Sequence, residues 1–268
     1  MYQAHAFRIT RSALSLWLGL ALTLAGATAL ADDLTADQIA KKMIRGDAFG
    51  WEGARAKLRM VLTNKKGKRK ERAMEVTGRR KDGLMQTMLR FKAPSDIAGT
   101  AFLMLERKND DAEQYVYLSG LKRTRRIVGR ERDGSFMGSD FTYADLQPLA
   151  ERYVTNKRLP DDAVGKSPTY VVESTLAKDA PSKYSKTVTW VRKSDFVALR
   201  TRFYDRGGKL VKTLYTRKVK QIEGSPVIVE ARMENATNGH TTELFVDDLA
   251  KKEDMSDLTF TPAALERY

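Results

Sequence analysis

The 268-residue chain contains no cysteine and only two histidines, His5 and His240. Without cysteine it can form no disulfide and offers no thiolate nucleophile or lipid-modified N-terminal thiol. The scarcity of histidine removes the usual zinc ligand sets. A Ser-His-Asp triad would have to use His240, yet the chain has nothing like a G-x-S-x-G elbow. Glycine fingerprints for phosphate and dinucleotide binding are missing as well. No metal and no cofactor is therefore expected. Beyond the first 31 residues no apolar run is long enough to span a bilayer, which needs roughly 20 residues.

The first 31 residues carry their own signal. Arg8 and Arg11 supply a positive segment, Ala13 to Leu24 an apolar one, and Ala29-Leu30-Ala31 a small-x-small cleavage site followed by Asp32 and Asp33. This pattern predicts a secretory leader, residues 1–31, cut after Ala31. Residues 32–268 would then be a soluble periplasmic domain, long enough for one sizeable core. The formal charge is +14, or +12 once Arg8 and Arg11 leave with the leader. In the cytoplasm such a balance would suggest nucleic acid. Outside it, the anionic partners are phospholipid headgroups, lipopolysaccharide or an acidic protein face, and no nucleic acid is expected.

Periodicity predicts a short helix and then a long succession of strands. Thr35 and Gln38 have capping-box spacing, and Leu34 with Ile39 form a hydrophobic staple. Ile39, Met43 and Ile44 recur at helical spacing up to Gly46. From Ala54 the apolar residues alternate: Ala54, Ala56, Leu58, Met60 and Leu62 oppose a mostly basic face. Asn64–Gly67, Asp205–Gly208 and Asn238-Gly239 read as hairpin turns. Residues 128–149 break the rhythm with three glycines, aromatic residues and a short helical stretch near Ala144 to Leu149. Strands resume near 151–157. Thr261-Pro262 opens a terminal helix. The fold class is mainly β: about eleven antiparallel strands forming one highly curved sheet or open barrel, with few short helices.

Three groups of residues invite a functional reading. Asp140 and Asp145 could converge as paired carboxylates; as a helix cap and a turn residue they would be purely structural. Basic clusters at Lys65–Arg72 and Lys122–Arg132 are either solvated edge strands or docking sites for an anionic surface, with Arg123, Arg125 and Arg126 the best anion ligands. Ten methionines, most on strands, join aromatic residues as an ordinary β core or as an adaptable cavity lining. The cavity candidates are Leu58, Met60, Leu62, Met74, Val76, Met85, Leu89, Phe91, Phe102, Met104, Tyr115 and Tyr117.

The stretch from Phe91 to Leu146 carries a family resemblance. It reads Phe91-x-x-Pro94-x-Asp96-x-x-Gly99-Thr100-x-Phe102-Leu103, then Tyr115-x-Tyr117-Leu118 and Arg125-Arg126-Ile127. It closes on Phe136-x-Gly138-Ser139-Asp140-Phe141-x-Tyr143-x-Asp145-Leu146. Trp190-Val191, Tyr204-Asp205-x-Gly207-Gly208-Lys209-Leu210 and Asn235-x-x-x-Gly239-His240-x-Thr242 extend it. The sequence resembles LolA-like outer-membrane lipoprotein-sorting proteins, in the branch near the treponemal periplasmic sorting protein. The resemblance implies an unclosed β-barrel with a helical and loop lid over an apolar cavity. It also implies an acyl-chain ligand, a partner exporter of the resistance-nodulation-division type and no catalysis; transient membrane-surface contact is the expectation from the basic clusters. The lid pieces would be residues 34–45, 128–149 and the C-terminal helix. Gly138, Ser139, Asp140, Phe141, Tyr143 and Asp145 would form a structured rim.

Two other readings stand beside the carrier. One is a solid-cored periplasmic adaptor that binds an exporter or envelope polyanion through its basic faces; the other is an enzyme using Asp140 and Asp145. The leader itself makes a direct prediction: intact mass of protein recovered from the periplasm corresponds to a chain starting at Asp32, and a mass that includes Met1 would contradict it.

Overall fold

The computed structural model describes residues 34–45, 53–108, 110–147, 154–180, 182–251 and 255–267. The leader, Gly46, Leu149 and residues 151–153 of the expected 151–157 strand lie outside the described residues. The described chain begins with helix α1 (Ala36–Arg45). Its expected capping box is present: the Thr35 amide donates to Gln38 Oε1 at 2.8 Å, and the Gln38 amide to Thr35 Oγ1 at 3.2 Å. Ile39 and Ala36 are buried on Tyr170, Val172 and Val191, with Leu34 and Met43 alongside.

Two runs of strands follow. The first comprises β1 (Ala54–Thr63), β2 (Arg69–Lys81), β3 (Leu84–Ala93), β4 (Ala101–Arg107), β5 (Asp110–Leu118) and β6 (Arg123–Ile127). The second comprises β7 (Val154–Val164), β8 (Ser167–Leu176), β9 (Tyr184–Arg192), β10 (Ala198–Asp205), β11 (Leu210–Ile222), β12 (Ser225–Asn235) and β13 (Thr241–Lys251). All thirteen join one antiparallel sheet, against about eleven expected, and even the five-residue β6 pairs along its length with β5. The order is β6-β5-β4-β3-β2-β1-β13-β12-β11-β10-β9-β8-β7, so the sheet does not close. Its centre is the long-range pair β1–β13, where Met60 stands opposite Leu244 and Leu58 opposite Val246.

Strand alternation gives the sheet two distinct faces. On one, Val76, Leu89, Phe102 and Val116 stand side by side across β2 to β5, beside Leu58, Met74 and Phe91. These residues share a single core with Ile127 of β6 and Met233 of β12, strands far apart in the sheet. Such contact requires the sheet to curl around this face, here called the inner face. On the outer face, Met88, Leu103 and Tyr115 line up across β3 to β5.

The C-terminal turns cover that outer face. The 3₁₀ segments Asp257–Phe260 and Pro262–Glu266 set Phe260 and Leu265 against Met88, Ala101, Leu103 and Leu105. Arg90 fastens them by donating to the carbonyls of Ala264 and Leu265 at 2.9 and 3.0 Å. The terminal helix expected as part of a lid thus lies on the opposite side of the sheet. The cause is the outer face itself, which is apolar enough to need its own cover.

Strands β6 and β7 are opposite edges of the sheet yet consecutive in the chain, so a crossover connects them. Its described part, residues 128–147, delivers Phe136, Phe141 and Tyr143 into the inner core. Phe136 meets Phe102 and Tyr143 edge-on at 5.4 and 5.5 Å and lies 6.0 Å from Phe91. No helix among the described residues is long and apolar enough to cross a membrane. Phe136 is 1 % exposed, so Phe136→Ala should cost about 3–5 kcal/mol. Urea titration measures it, and a loss below about 1 kcal/mol would show that the crossover is not part of the core.

Candidate functional site

The crossover is seated by three polar anchors that reach from different strands. Arg72, inward-facing on β2 opposite Met60, donates a hydrogen bond to the Met137 carbonyl. Met137 and Gly138 both take positive φ, and the latter suits glycine, which lacks a Cβ to clash. Next, Asp140 accepts from Thr242 Oγ1 at 2.7 Å and from Asn235 Nδ2 at 3.2 Å, tying the loop to β13 and β12. The third anchor is a buried ion pair: Lys212 of β11 donates to Asp145, with side chains 4 % and 5 % exposed.

Asp145 also closes a capping box with Thr142, accepting from the Thr142 amide at 2.6 Å over the 3₁₀ turn Tyr143–Leu146. Lys212 Nζ further donates to the Asp140 carbonyl at 3.2 Å and lies about 5 Å from the rings of Tyr184 and Phe203. Burial pushes the Lys212 pKa down, and the charge of Asp145 opposes that shift. The Tyr184 hydroxyl is pushed up by burial and by Asp145 beside it. Asp145 and Thr142 are its neighbours, and among the described residues that hydroxyl makes no hydrogen bond of normal geometry. Asp140 and Asp145 are therefore each committed to holding the crossover.

Beyond these anchors lies a cavity of about 650 Å³ between α1, the turn at Ala144–Gln147 and strands β7 to β10. Such a volume is typical of small-molecule sites, which run roughly 300–1,000 Å³. Met43 and Ile44 of α1 form one wall; Val154, Leu176 and Phe203 form the other, with Ala144 between them. Polar groups interrupt the lining, among them Gln38, Lys41, Asn156, Ser174, Thr187 and Tyr184. The void has a simple origin. In the first half of the sheet the inward positions carry Met and Phe that fill the curve against the crossover. In the second half they carry Asn156, Ser174 and Thr187, which are too short to do so.

The residues expected to line a cavity occupy three different places. Leu58, Met60, Met74, Val76, Leu89, Phe91, Phe102 and Met104 are buried on the inner face beneath the crossover, and Leu62 packs at its margin. Met85 shares strand parity with Leu89 but is only half-buried. Tyr115 and Tyr117 lie on the outer face with the C-terminal turns. None of the twelve borders the 650 Å³ cavity. Its short polar residues Asn156, Ser174 and Thr187 come from three different strands and form no local pattern in the sequence.

In the remaining rim motif, Ser139 Oγ donates to the Phe136 carbonyl at 2.7 Å, and Phe141 and Tyr143 enter the core. Arg123, Arg125 and Arg126 occupy the edge strand β6, where Arg125 pairs with Glu131 at 2.5 Å. Among the described residues no group of three His, Asp or Glu side chains could hold a metal ion.

Comparison with known proteins gives this architecture a context. A family model described as that of an uncharacterized protein matches residues 83–267. An outer membrane lipoprotein-sorting protein domain from Vibrio parahaemolyticus is 31 % identical, covering 87 % of this chain and 98 % of its own, with a TM-score of 0.80. A DUF1329 family protein from Desulfovibrio piger is 26 % identical over 86 % and 99 %, with a TM-score of 0.78. A LolA superfamily protein from Nitrosomonas europaea shares the fold at 20 % identity, 85 % and 98 % coverage and a TM-score of 0.66. No curated protein matches the chain.

The buried pair yields a double-mutant prediction. Lys212→Met leaves Asp145 buried and unpaired and should cost about 3–5 kcal/mol. In Lys212→Met/Asp145→Asn the orphaned charge is gone, so the double variant should be more stable than Lys212→Met alone. Urea midpoints decide it; additive losses would show that the two groups do not interact.

Proposed function

This chain belongs to the LolA-like family of lipoprotein-sorting proteins, and on that premise we propose that it is a non-catalytic periplasmic carrier of acyl chains. In this reading it takes the acyl chain of a lipoprotein or lipid into its cavity and moves it between the inner and outer membranes. The observation that carries the proposal is the 650 Å³ space between α1 and β7 to β10, walled by Met43, Ile44, Leu176 and Phe203. Each methylene moved from water into such a space gains roughly 0.8 kcal/mol, so partial enclosure of a chain suffices for binding without any covalent step. The polar residues that interrupt the lining suit an amphiphile whose chain is enclosed and whose polar end stays near the mouth. An inner-membrane exporter of the resistance-nodulation-division type is the proposed partner, on the strength of the resemblance noted above.

One observation favours the adaptor as a second reading: the most apolar part of the inner face is already filled by Phe136, Phe141 and Tyr143. A solid core there is what an adaptor would have. The two readings part at the cavity. Thr187→Trp puts a large ring into the space, and Ile44→Asp puts a charge at a half-exposed position beside it. Native mass spectrometry of protein purified from the periplasm should show bound phospholipid or acylated peptide on the unmodified chain and none on either variant, with unchanged urea midpoints. An unmodified chain that emerges empty would contradict the carrier and leave the adaptor.

A further inference from the structure

Among the described residues the large apolar side chains left exposed are Ile44, Leu121, Val128 and Leu258. Two of them bracket the edge strand β6. Leu121, 70 % exposed, ends the 3₁₀ turn Ser119–Leu121, and Val128, 50 % exposed, is the first residue beyond the strand. Between them runs Lys122-Arg123-Thr124-Arg125-Arg126-Ile127, with Arg130 just beyond. Among the described residues strand β6 pairs only with β5, which makes it a border of the sheet.

Its charge is only partly compensated. Arg125 is held by Glu131 at 2.5 Å, and Arg126 shares Glu113 with Arg107 at 3.7 and 2.9 Å. Glu266, the other nearby carboxylate, accepts from Thr124. Lys122, Arg123 and Arg130 are exposed and form no ion pair with the described residues.

We propose that the β6 edge is a docking surface for an anionic phospholipid bilayer. Leu121 and Val128 enter the headgroup layer at the two ends of the edge, while Lys122, Arg123 and Arg130 meet lipid phosphates. Spacing favours a membrane over a protein partner. The five extended residues of β6 set the two apolar side chains at opposite ends of a strand about 17 Å long, with cations between them. A protein interface wants a contiguous apolar centre with a polar rim. Isolated apolar side chains set among cations suit a planar anionic layer, which both ends of an edge can reach together. The unclosed border between β6 and β7 would then lie at the lipid. That last consequence rests on the carrier reading; the docking itself does not.

Vesicle flotation tests it with protein purified from the periplasm. Vesicles of phosphatidylcholine with phosphatidylglycerol should carry the protein up, and phosphatidylcholine alone should not. Lys122→Ala/Arg123→Ala should lower the partition coefficient roughly 5-fold per charge removed. Leu121→Ser/Val128→Ser should lower it several-fold at unchanged charge. Lys65→Ala/Lys66→Ala, an equal loss of charge on the β1–β2 hairpin, should leave it unchanged. Equal loss in that control would show general charge attraction and overturn the proposal. Failure to bind anionic vesicles would also overturn it and leave the edge to an acidic protein. Lipid content by native mass spectrometry on the same preparations reports on the carrier reading separately.

Discussion

Because β1 pairs with β13 in the middle of the sheet, the consecutive strands β6 and β7 end at its two free edges. The chain must therefore cross from one edge of the sheet to the other, and the described part of it does so over the inner face. That constraint decides what fills the curve. The described part of the crossover, residues 128–147, brings Phe136, Phe141 and Tyr143 to the first half of the sheet, where they complete the core. Strands β7 to β10 receive only the edge of the same segment, at Ala144, Asp145 and Gln147, and a cavity remains beside it.

The crossover is held by more than apolar contact. Arg72, Lys212, Thr242 and Asn235 reach it from four strands, and Gln114, fully buried, donates to the Tyr143 carbonyl and to Gln147. Buried polar groups cost stability unless they are partnered, and a buried ion pair contributes little net stability by itself. Their value here is positional: each anchor fixes one residue of the loop over one strand. A wall of the cavity is thus tied to the sheet by groups whose partners are few and specific.

Local order was legible in the sequence; long-range order was not. The Thr35–Gln38 capping box, the alternation in β1 and the turn at Asn64–Gly67 each follow from a few neighbouring residues, and each is present. The β1–β13 pairing joins residues nearly 190 positions apart, and no local pattern announces it. Tyr115 and Tyr117 show a second limit. Alternation separates them from Gln114 and Val116 but does not say which set faces inward. The buried Gln114 takes the inner side, where the Tyr143 carbonyl and Gln147 Oε1 accept from its Nε2, while the tyrosines are covered by the chain's last turns. The cavity was hardest to foresee, since it arises from short side chains at Asn156, Ser174 and Thr187 rather than from conspicuous large ones.

The central claim is that acyl chains occupy the space between α1 and β7 to β10, not the aromatic core under the crossover. Photo-crosslinking with a long-chain acyl ester bearing a diazirine within its chain, followed by peptide mapping, tests it most directly. The account predicts labels on Met43, Ile44, Leu176 or Phe203, competed by the unmodified ester. Labels confined to Phe91, Phe102 or Phe136, or spread over the surface without competition, would contradict it.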